Sequence, residues 1–231
     1  MRKSKDKTKN QGSGAIPKVV VNRLSLYLRE LQILVRDGVV TTSSTKLGEL
    51  LGVTDAQVRK DLANFGQFGY PGVGYRCDEL IAAIKRIMGT DQHWPVALIG
   101  VGNLGRALLG YRGFGAQGFE IVAAFDSDTS VIGTSVEGMV IQDFAHFPAS
   151  VSQREIRLAI IAVPPSAAQE VADTIAAAGV KGILNFAPVT LKLPSSVTLV
   201  AVDLAIEMEQ LSFAMTRRIA EGLLLDRKSL D

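Results

Sequence analysis

The stretch from Pro95 to Asp126 constrains this chain more than any other, because its residue types run strand, glycine turn, helix, strand, acid. Val96-Ala97-Leu98-Ile99 is a short apolar run of the kind buried on both faces of a parallel sheet. Gly100-Val101-Gly102-Asn103-Leu104-Gly105 follows without a gap. In such a pattern the first glycine makes a tight turn, the second lets backbone approach a pyrophosphate, and the third lets the next helix pack against the strand. The helix N-terminus offers unpaired N–H groups and positive dipole to phosphates. Glu120 to Phe125 reads as the second strand and delivers Asp126 about 20 residues past the last glycine, where a carboxylate accepts ribose hydroxyls. A carboxylate there would repel a 2′-phosphate, so the spacing predicts NADH/NAD⁺ as the ligand. The alternative is a glycine turn that binds nothing.

Charge divides the chain in two. Residues 1–90 carry 15 Lys and Arg against 8 Asp and Glu, a net of +7, whereas residues 91–231 carry 10 against 15, a net of −5. A basic module joined to an acidic, nucleotide-binding one points to a polyanion partner for the first half only. At 231 residues the chain has room for two modest domains. No apolar run approaches the ~18 residues of a membrane span, and the lysine-rich start lacks the apolar segment of a signal peptide. The chain therefore reads as cytoplasmic, with no membrane partner. Cys77 is the only cysteine, so an internal disulfide and a thiolate metal cluster within one chain are both excluded, and it reads as a small buried hydrophobe.

In chain order, residues 1–15 form a basic tail expected to be disordered, whose Arg2, Lys3, Lys5, Lys7 and Lys9 could brush DNA phosphates or merely solubilise. Residues 16–89 read as a winged helix-turn-helix. Pro17 stands at a first helical position, and Val20, Leu24, Tyr27, Leu28, Leu31 and Leu34 or Val35 recur at helical spacing up to Asp37-Gly38. Ser43 or Ser44 caps a second helix ending at Gly52. Thr54 to Gln57 has the form of a capping box, with Thr54 as cap and Gln57 reaching back, and opens a third helix to about Asn64. At 100° per residue Val58, Leu62 and Phe65 share one stripe facing the core. Opposite lie Ala56, Lys60 and Ala63, flanked by Arg59, Gln57 and Asn64. The alanines allow close approach to a groove floor, Gln57 and Asn64 can bond base edges, and Arg59 and Lys60 can reach bases or phosphates. An ordinary solvated face would carry some of the same residues. The glycine- and aromatic-rich stretch Phe65 to Tyr75 reads as a wing hairpin, Cys77 to Met88 as a fourth helix, and residues 89–95 as the linker.

Thr54-Asp55-Ala56-Gln57-Val58-Arg59-Lys60-Asp61-Leu62, Gly72-Val73-Gly74-Tyr75, Gly100 to Gly105 and Gly182-Ile183-Leu184-Asn185-Phe186-Ala187-Pro188, in this order, resemble the Rex family of redox-sensing transcriptional repressors. The resemblance runs from about Pro17 to Arg217. It implies a homodimer whose winged-helix domains bind a palindromic double-stranded DNA operator and let go when NADH binds the Rossmann domains. The DNA-facing residues expected are Ser44, Gln57, Arg59, Lys60, Asn64 and Tyr70. The wing tip departs from the pattern, since relatives often carry basic residues where this chain has Tyr70-Pro71.

Residues 90–202 read as the Rossmann domain on their own terms. Strands are expected at Val140-Ile141, Arg157 to Val163, Gly182 to Phe186 and Thr198 to Val202, with an alanine-rich helix from Ser166 to Ala178. Strands alternating with helices imply an α/β, doubly wound parallel sheet with ligand at the carboxyl ends of its strands. Val163, Pro164 and Asn185 stand at such ends, either lining the nicotinamide end of the site or only shaping loops. From Asp203 to residue 231 the chain reads as a terminal amphipathic helix and tail, with Leu204, Met208, Leu211, Met215 and Ile219 on one face; it either covers its own sheet or docks on a partner. Asp203 reads first as its cap. The resemblance implies exchange of this helix between subunits, bringing Asp203 near Tyr111 of the other protomer.

An NAD-dependent dehydrogenase is the rival class, but its chemistry needs a placed acid or base. No tyrosine is followed four residues later by lysine, His93 falls in the linker and His146 in a loop, and no stretch remains for a substrate domain. No catalytic residue and no metal site is expected. A third reading makes the basic half a protein-interaction winged helix.

Overall fold

The computed structural model describes residues 16–228, with side chains up to residue 218. The basic tail and the Ile219 side chain lie outside what is described. Two compact units are separated between Gln92 and His93.

In the first unit the helical periodicity is realised. Helix α1 (Lys18–Arg36) buries Val20, Leu24, Tyr27, Leu28 and Leu31, with Pro17 one place earlier than expected, as the cap. Helix α2 (Ser44–Leu51) is capped by Ser43, whose side chain accepts the Lys46 N–H, and it stops at left-handed Gly52. Helix α3 (Asp55–Ala63) is capped by Thr54, whose Oγ1 accepts the Gln57 N–H at 3.1 Å. The turn between α2 and α3 is tight because Gly48 lets the helices close: a Cβ there would lie 2.5 Å from the Val53 carbonyl oxygen. Helix α4 (Cys77–Met88) follows and ends at left-handed Gly89. Leu24, Tyr27, Leu31, Leu47, Val58, Leu62, Leu80 and Ile84 form one core, which also buries Cys77.

The wing differs from the expected hairpin. Strand β1 (Thr41–Thr42) pairs antiparallel with β2 (Tyr75–Arg76), and Tyr70 to Gly74 contributes only a single bridge between its ends. Glycines at positive φ, Gly66, Gly72 and Gly74, make this stretch turns rather than a ladder. The partner strand lies more than 30 residues upstream, a pairing that alternation within 65–75 could not reveal.

The second unit is a seven-stranded sheet. In chain order its elements are β3 (Trp94–Ile99), α5 (Asn103–Leu109), β4 (Phe119–Asp126), β5 (Ser135–Val136), β6 (Met139–Asp143), α6 (Phe147–Gln153), β7 (Leu158–Ile161), α7 (Pro165–Ala177), β8 (Gly182–Asn185), β9 (Thr198–Ala201) and α8 (Leu204–Lys228). The spatial order is β5-β6-β4-β3-β7-β8-β9, every pair parallel except β5 with β6. Without the edge strand β5, this is the 3-2-1-4-5-6 order of doubly wound dinucleotide folds, whose ligand crevice opens where the winding reverses, here between β3 and β7. Trp94 and Pro95 belong to β3, so the linker is shorter than the sequence suggested.

The two faces of the sheet are covered unequally. Ala97, Ile99, Phe125, Ala159, Ile161 and Ile183 point into a core with α6 and α7 side chains such as Phe147, Ala168 and Ile175. On the other face, the short α5 packs Leu108 and Leu109 against Val96, Leu98 and Ile160. An apolar groove of about 750 Å³ stays open there, bordered by Trp94, Val96, Leu158, Ile160, Leu184 and Val200 among others.

Candidate nucleotide and nucleic-acid sites

The glycine loop has the geometry its spacing predicts. Gly100 has φ +94°, and a Cβ on it would sit 2.5 Å from the Ala162 carbonyl oxygen, so only glycine makes this turn against the neighbouring strand loop. A Cβ on Gly105 would fall 2.0 Å from the Gly100 carbonyl oxygen, which is the close helix-to-strand packing assigned to the third glycine. Gly102 is different: a Cβ there meets nothing within 4 Å, and its φ of −71° suits any residue. Packing within the chain therefore does not demand a glycine at 102, whereas close approach by a ligand would. Gly102 is also the cap of α5 and supplies no side chain, so the first-turn N–H groups are left for an external acceptor.

Asp126 ends β4 and closes the loop. Its Oδ2 accepts the Val101 N–H at 2.7 Å, and its Oδ1 accepts the Ser127 and Asp128 N–H groups at 2.8 and 3.0 Å. A carboxylate offers about four acceptor positions, so one remains for a ribose hydroxyl. The sequence placed Asp126 as a ribose acceptor; the bond to Val101, which fastens the glycine loop to the neighbouring strand end, was not legible in it. Among the strand-end candidates, Val163 is half-buried against the core and Pro164 is exposed as the cap of α7. Asn185 is fully buried, donating to the carbonyls of Ala187 and Val189 and accepting the Ala187 N–H at 2.9 Å. Every polar group of its amide turns into its own loop, so its visible work is loop-shaping.

Asp203 caps α8, its Oδ1 accepting the Ala205 N–H at 2.9 Å. Tyr111 is exposed and packs edge-on against Phe114. Helix α8 leaves its own unit bare: Leu204, Met208, Leu211 and Phe213 are 55–67% exposed. Of the two alternatives for this helix, covering its own sheet is not what the fold adopts.

On α3, Val58 and Leu62 are buried and Phe65 half-buried, while Ala56, Arg59, Lys60, Ala63 and Asn64 are exposed, as the helical wheel predicts. Arg59 is held by Asp55 at 2.7 Å and donates to Ser44 Oγ at 2.9 Å, so α2 and α3 share a polar clasp. The Asn64 amide donates to the carbonyls of Lys60 and Asp61, ending the helix rather than standing free. The Tyr70 hydroxyl donates to Glu79 at 3.0 Å.

Gln57 corrects the capping-box reading. Its side chain does not return to Thr54 but donates to Asp61 Oδ1 at 2.7 Å. Asp61 is 1% exposed, and it also receives Arg23 through Nε at 2.5 Å and Nη2 at 2.8 Å, and the hydroxyl of fully buried Tyr27 at 2.8 Å. Burial pushes the Asp61 carboxyl up, but the bonds from Arg23, Tyr27 and Gln57 outweigh it and hold the group below the usual carboxylate range. The same cluster raises the Tyr27 phenol, by burial first and then by its bond to Asp61. Sequence reasoning missed this cluster. Its only trace is an acid at the edge of the Val58–Leu62 stripe and an arginine one turn before Tyr27.

Among the described residues, no group of three or more His, Cys, Asp and Glu is placed to hold a metal ion, and no helix is long and apolar enough to cross a membrane. His93 pairs with Glu120 at 2.6 Å on the surface, and His146 leads into α6.

A winged helix joined to a dinucleotide-type Rossmann unit with an open glycine loop is the build of a ligand-responsive DNA-binding protein. Comparison with known proteins agrees at both ends: residues 15–63 match the family described as putative DNA-binding protein N-terminus, and residues 91–189 match the CoA binding domain. The redox-sensing transcriptional repressor Rex of Chloroflexus aurantiacus is 45% identical over 87% of this chain and 95% of its own, and that of Desulfitobacterium hafniense 47% identical over 88% and 97%. The crystal structure of RSP in complex with β-NAD⁺ and operator DNA superposes with a TM-score of 0.85 at 33% identity, covering 91% of this chain and 97% of RSP. RSP in complex with β-NADH gives 0.82 at 32%, covering 91% and 99%. The chain belongs to the Rex family of redox-sensing transcriptional repressors. Membership of a repressor family decides against the dehydrogenase alternative.

Proposed function

We propose that this chain represses transcription as a homodimer, binding a palindromic operator through α3 and releasing it when NADH occupies the Rossmann unit. What carries the reading is the likeness to RSP in both its complexes, joined to a glycine loop that keeps Gly102 open for no internal reason. Gly100 to Gly105 and the first turn of α5 would hold the pyrophosphate, Asp126 a ribose hydroxyl, and the β7 and β8 ends, with Val163 and Pro164, the nicotinamide side. NAD⁺ carries a pyridinium charge that NADH lacks. Burying an unpaired charge is costly, so apolar surroundings favour the reduced form, and every ~1.4 kcal/mol of that preference is tenfold in affinity. A ligand that prefers the DNA-incompetent dimer weakens operator binding by the same coupling energy.

The exposed apolar face of α8 and the open groove on the sheet support the second protomer as the surface that covers both. An exchanged α8, with Asp203 near the partner's Tyr111, is the arrangement we favour. The cytoplasm, which holds both DNA and the NADH pool, is the compartment such a repressor requires.

The test is binding to labelled palindromic duplex at fixed salt, titrated with NADH and separately with NAD⁺. NADH should release the DNA at concentrations where NAD⁺ does not, and Asp126→Ala should bind DNA normally yet need roughly 10- to 100-fold more NADH, the weight of one hydrogen bond to a charged group. Release by neither form would remove the sensing half of the proposal.

Replacing Arg59 and Lys60 together by Ala should lower operator affinity by about 10- to 1,000-fold and flatten its salt dependence, since both cations are exposed and Arg59 can exchange its Asp55 and Ser44 partners for phosphates or base edges. The thermal midpoint should barely move, because the exposed Arg59–Asp55 pair contributes only a few tenths of a kcal/mol. Operator affinity equal to wild type would place the recognition surface elsewhere.

A further inference from the structure

Asp61 does more than join α3 to α1. At neutral pH a carboxylate only accepts hydrogen bonds, and Asp61 accepts four: two from Arg23, one from Tyr27 and one from Gln57. The Gln57 amide can therefore face it only with its NH₂ edge. An unconstrained glutamine can present either its oxygen or its nitrogen to a base; here one of the two N–H donors is committed to Asp61, which pins the amide in one orientation. The nitrogen is drawn toward the core, and Oε1 takes no hydrogen bond from any described residue. Gln57 stands in the first turn of α3, beside the exposed Ala56 and one turn before Lys60, at the end of a recognition helix from which base contacts are made.

We propose that the buried Asp61 cluster orients Gln57 so that it offers the operator a hydrogen-bond acceptor, selecting at one base pair of each half-site a base that carries an amino group in the major groove, adenine or cytosine, over guanine or thymine. Adenine N6 and cytosine N4 are donors there, whereas guanine O6 and thymine O4 are acceptors that would face Oε1 with no proton between them. Arg59 and Lys60, donors without acceptor capacity, seek the opposite bases, so the helix carries both signs of the code. Gln57 is the reading residue and Asp61 the positioning one. The inference rests on α3 being the DNA-reading helix.

The test is selection of binding sites from a pool of randomised palindromic duplexes, followed by affinity measurements on single-base operator variants. Wild type should prefer adenine or cytosine at one position per half-site by roughly tenfold, the scale of one good base contact. Gln57→Met, which keeps length and removes the amide, should abolish the preference there and nowhere else. Asp61→Asn, whose amide can both donate and accept, should leave the fold in place, checked by thermal unfolding, and blunt the preference at that same position. If Asp61→Asn does not fold, Gln57→Met and the identity of the preferred base still decide the matter. A wild-type chain that recovers no consensus would remove the recognition-helix reading and this inference with it. A consensus untouched by Gln57→Met, a Gln57-dependent position preferring guanine or thymine, or a folded Asp61→Asn that discriminates as wild type, would leave that reading standing and overturn this inference alone.

Discussion

Asp61→Ala should destabilise the winged-helix unit by about 3–5 kcal/mol, the typical cost of removing one member of a buried ion pair. Asp61 is 1% exposed and accepts the side-chain hydrogen bonds of Tyr27 and Arg23. Without it the fully buried Tyr27 hydroxyl loses its acceptor, and a buried donor left unmet costs about 1–3 kcal/mol by itself. Arg23, whose side chain is 20% exposed, can recover some hydration, which keeps the expected loss toward the lower end. The measurement is unfolding followed separately for the two units, since a single midpoint is not defined for a two-domain chain. The first unit should melt well below wild type and the Rossmann unit at its usual temperature. A winged helix as stable as wild type would mean that the cluster contributes nothing net. Acid should act in the same direction. Because the Asp61 carboxyl is held below its ordinary range in the folded state, its contribution is present above that range and disappears as pH falls through the lowered value. The variant should therefore lack this part of the acid sensitivity of wild type.

Gly102→Ala should leave the Rossmann unit as stable as wild type, or slightly more so, and weaken NADH binding by about 10- to 100-fold. The added methyl meets no atom of the protein within 4 Å and sits at an ordinary φ, so folding has no reason to object. A pyrophosphate drawn against the loop backbone does, because its charge-assisted bonds to N–H groups lengthen when the approach is blocked. Gly105→Ala provides the contrast: its Cβ would overlap the Gly100 carbonyl oxygen, so helix and strand must separate, at about 1–3 kcal/mol of stability. Calorimetric titration with NADH and thermal unfolding of both variants separate the two jobs. Wild-type NADH affinity in Gly102→Ala would mean that the phosphates do not lie against this glycine.

Most of the strands and helices, though not β1, β5 or α6, a cap at Ser43 or Ser44 and another at Thr54, the glycine stops and the buried face of α3 could be read before any coordinates. Each rests on residues within a few positions of one another, where periodicity and turn chemistry act. What escaped shares the opposite property. The wing's ladder joins Thr41-Thr42 to Tyr75-Arg76, the Asp126–Val101 bond spans 25 residues, and Asp61 meets Tyr27 and Arg23 across 34 and 38. Gln57 escaped differently: its local sequence favoured a bond back to Thr54, and a carboxylate only one turn ahead, buried by its contacts with distant Arg23 and Tyr27 where an unmet charge is costly, outcompeted it.

The sequence by itself determined the class of fold and the kind of ligand, because a glycine loop between strand and helix and an acid at the next strand's end are local necessities of holding a dinucleotide. Only the tertiary structure decided which face of the sheet stays open, that α8 leaves its own unit uncovered, and which way the Gln57 amide points. Those outcomes depend on what distant segments bring to the same place, and a hydrogen bond or an apolar contact forms with whatever neighbour the completed fold supplies.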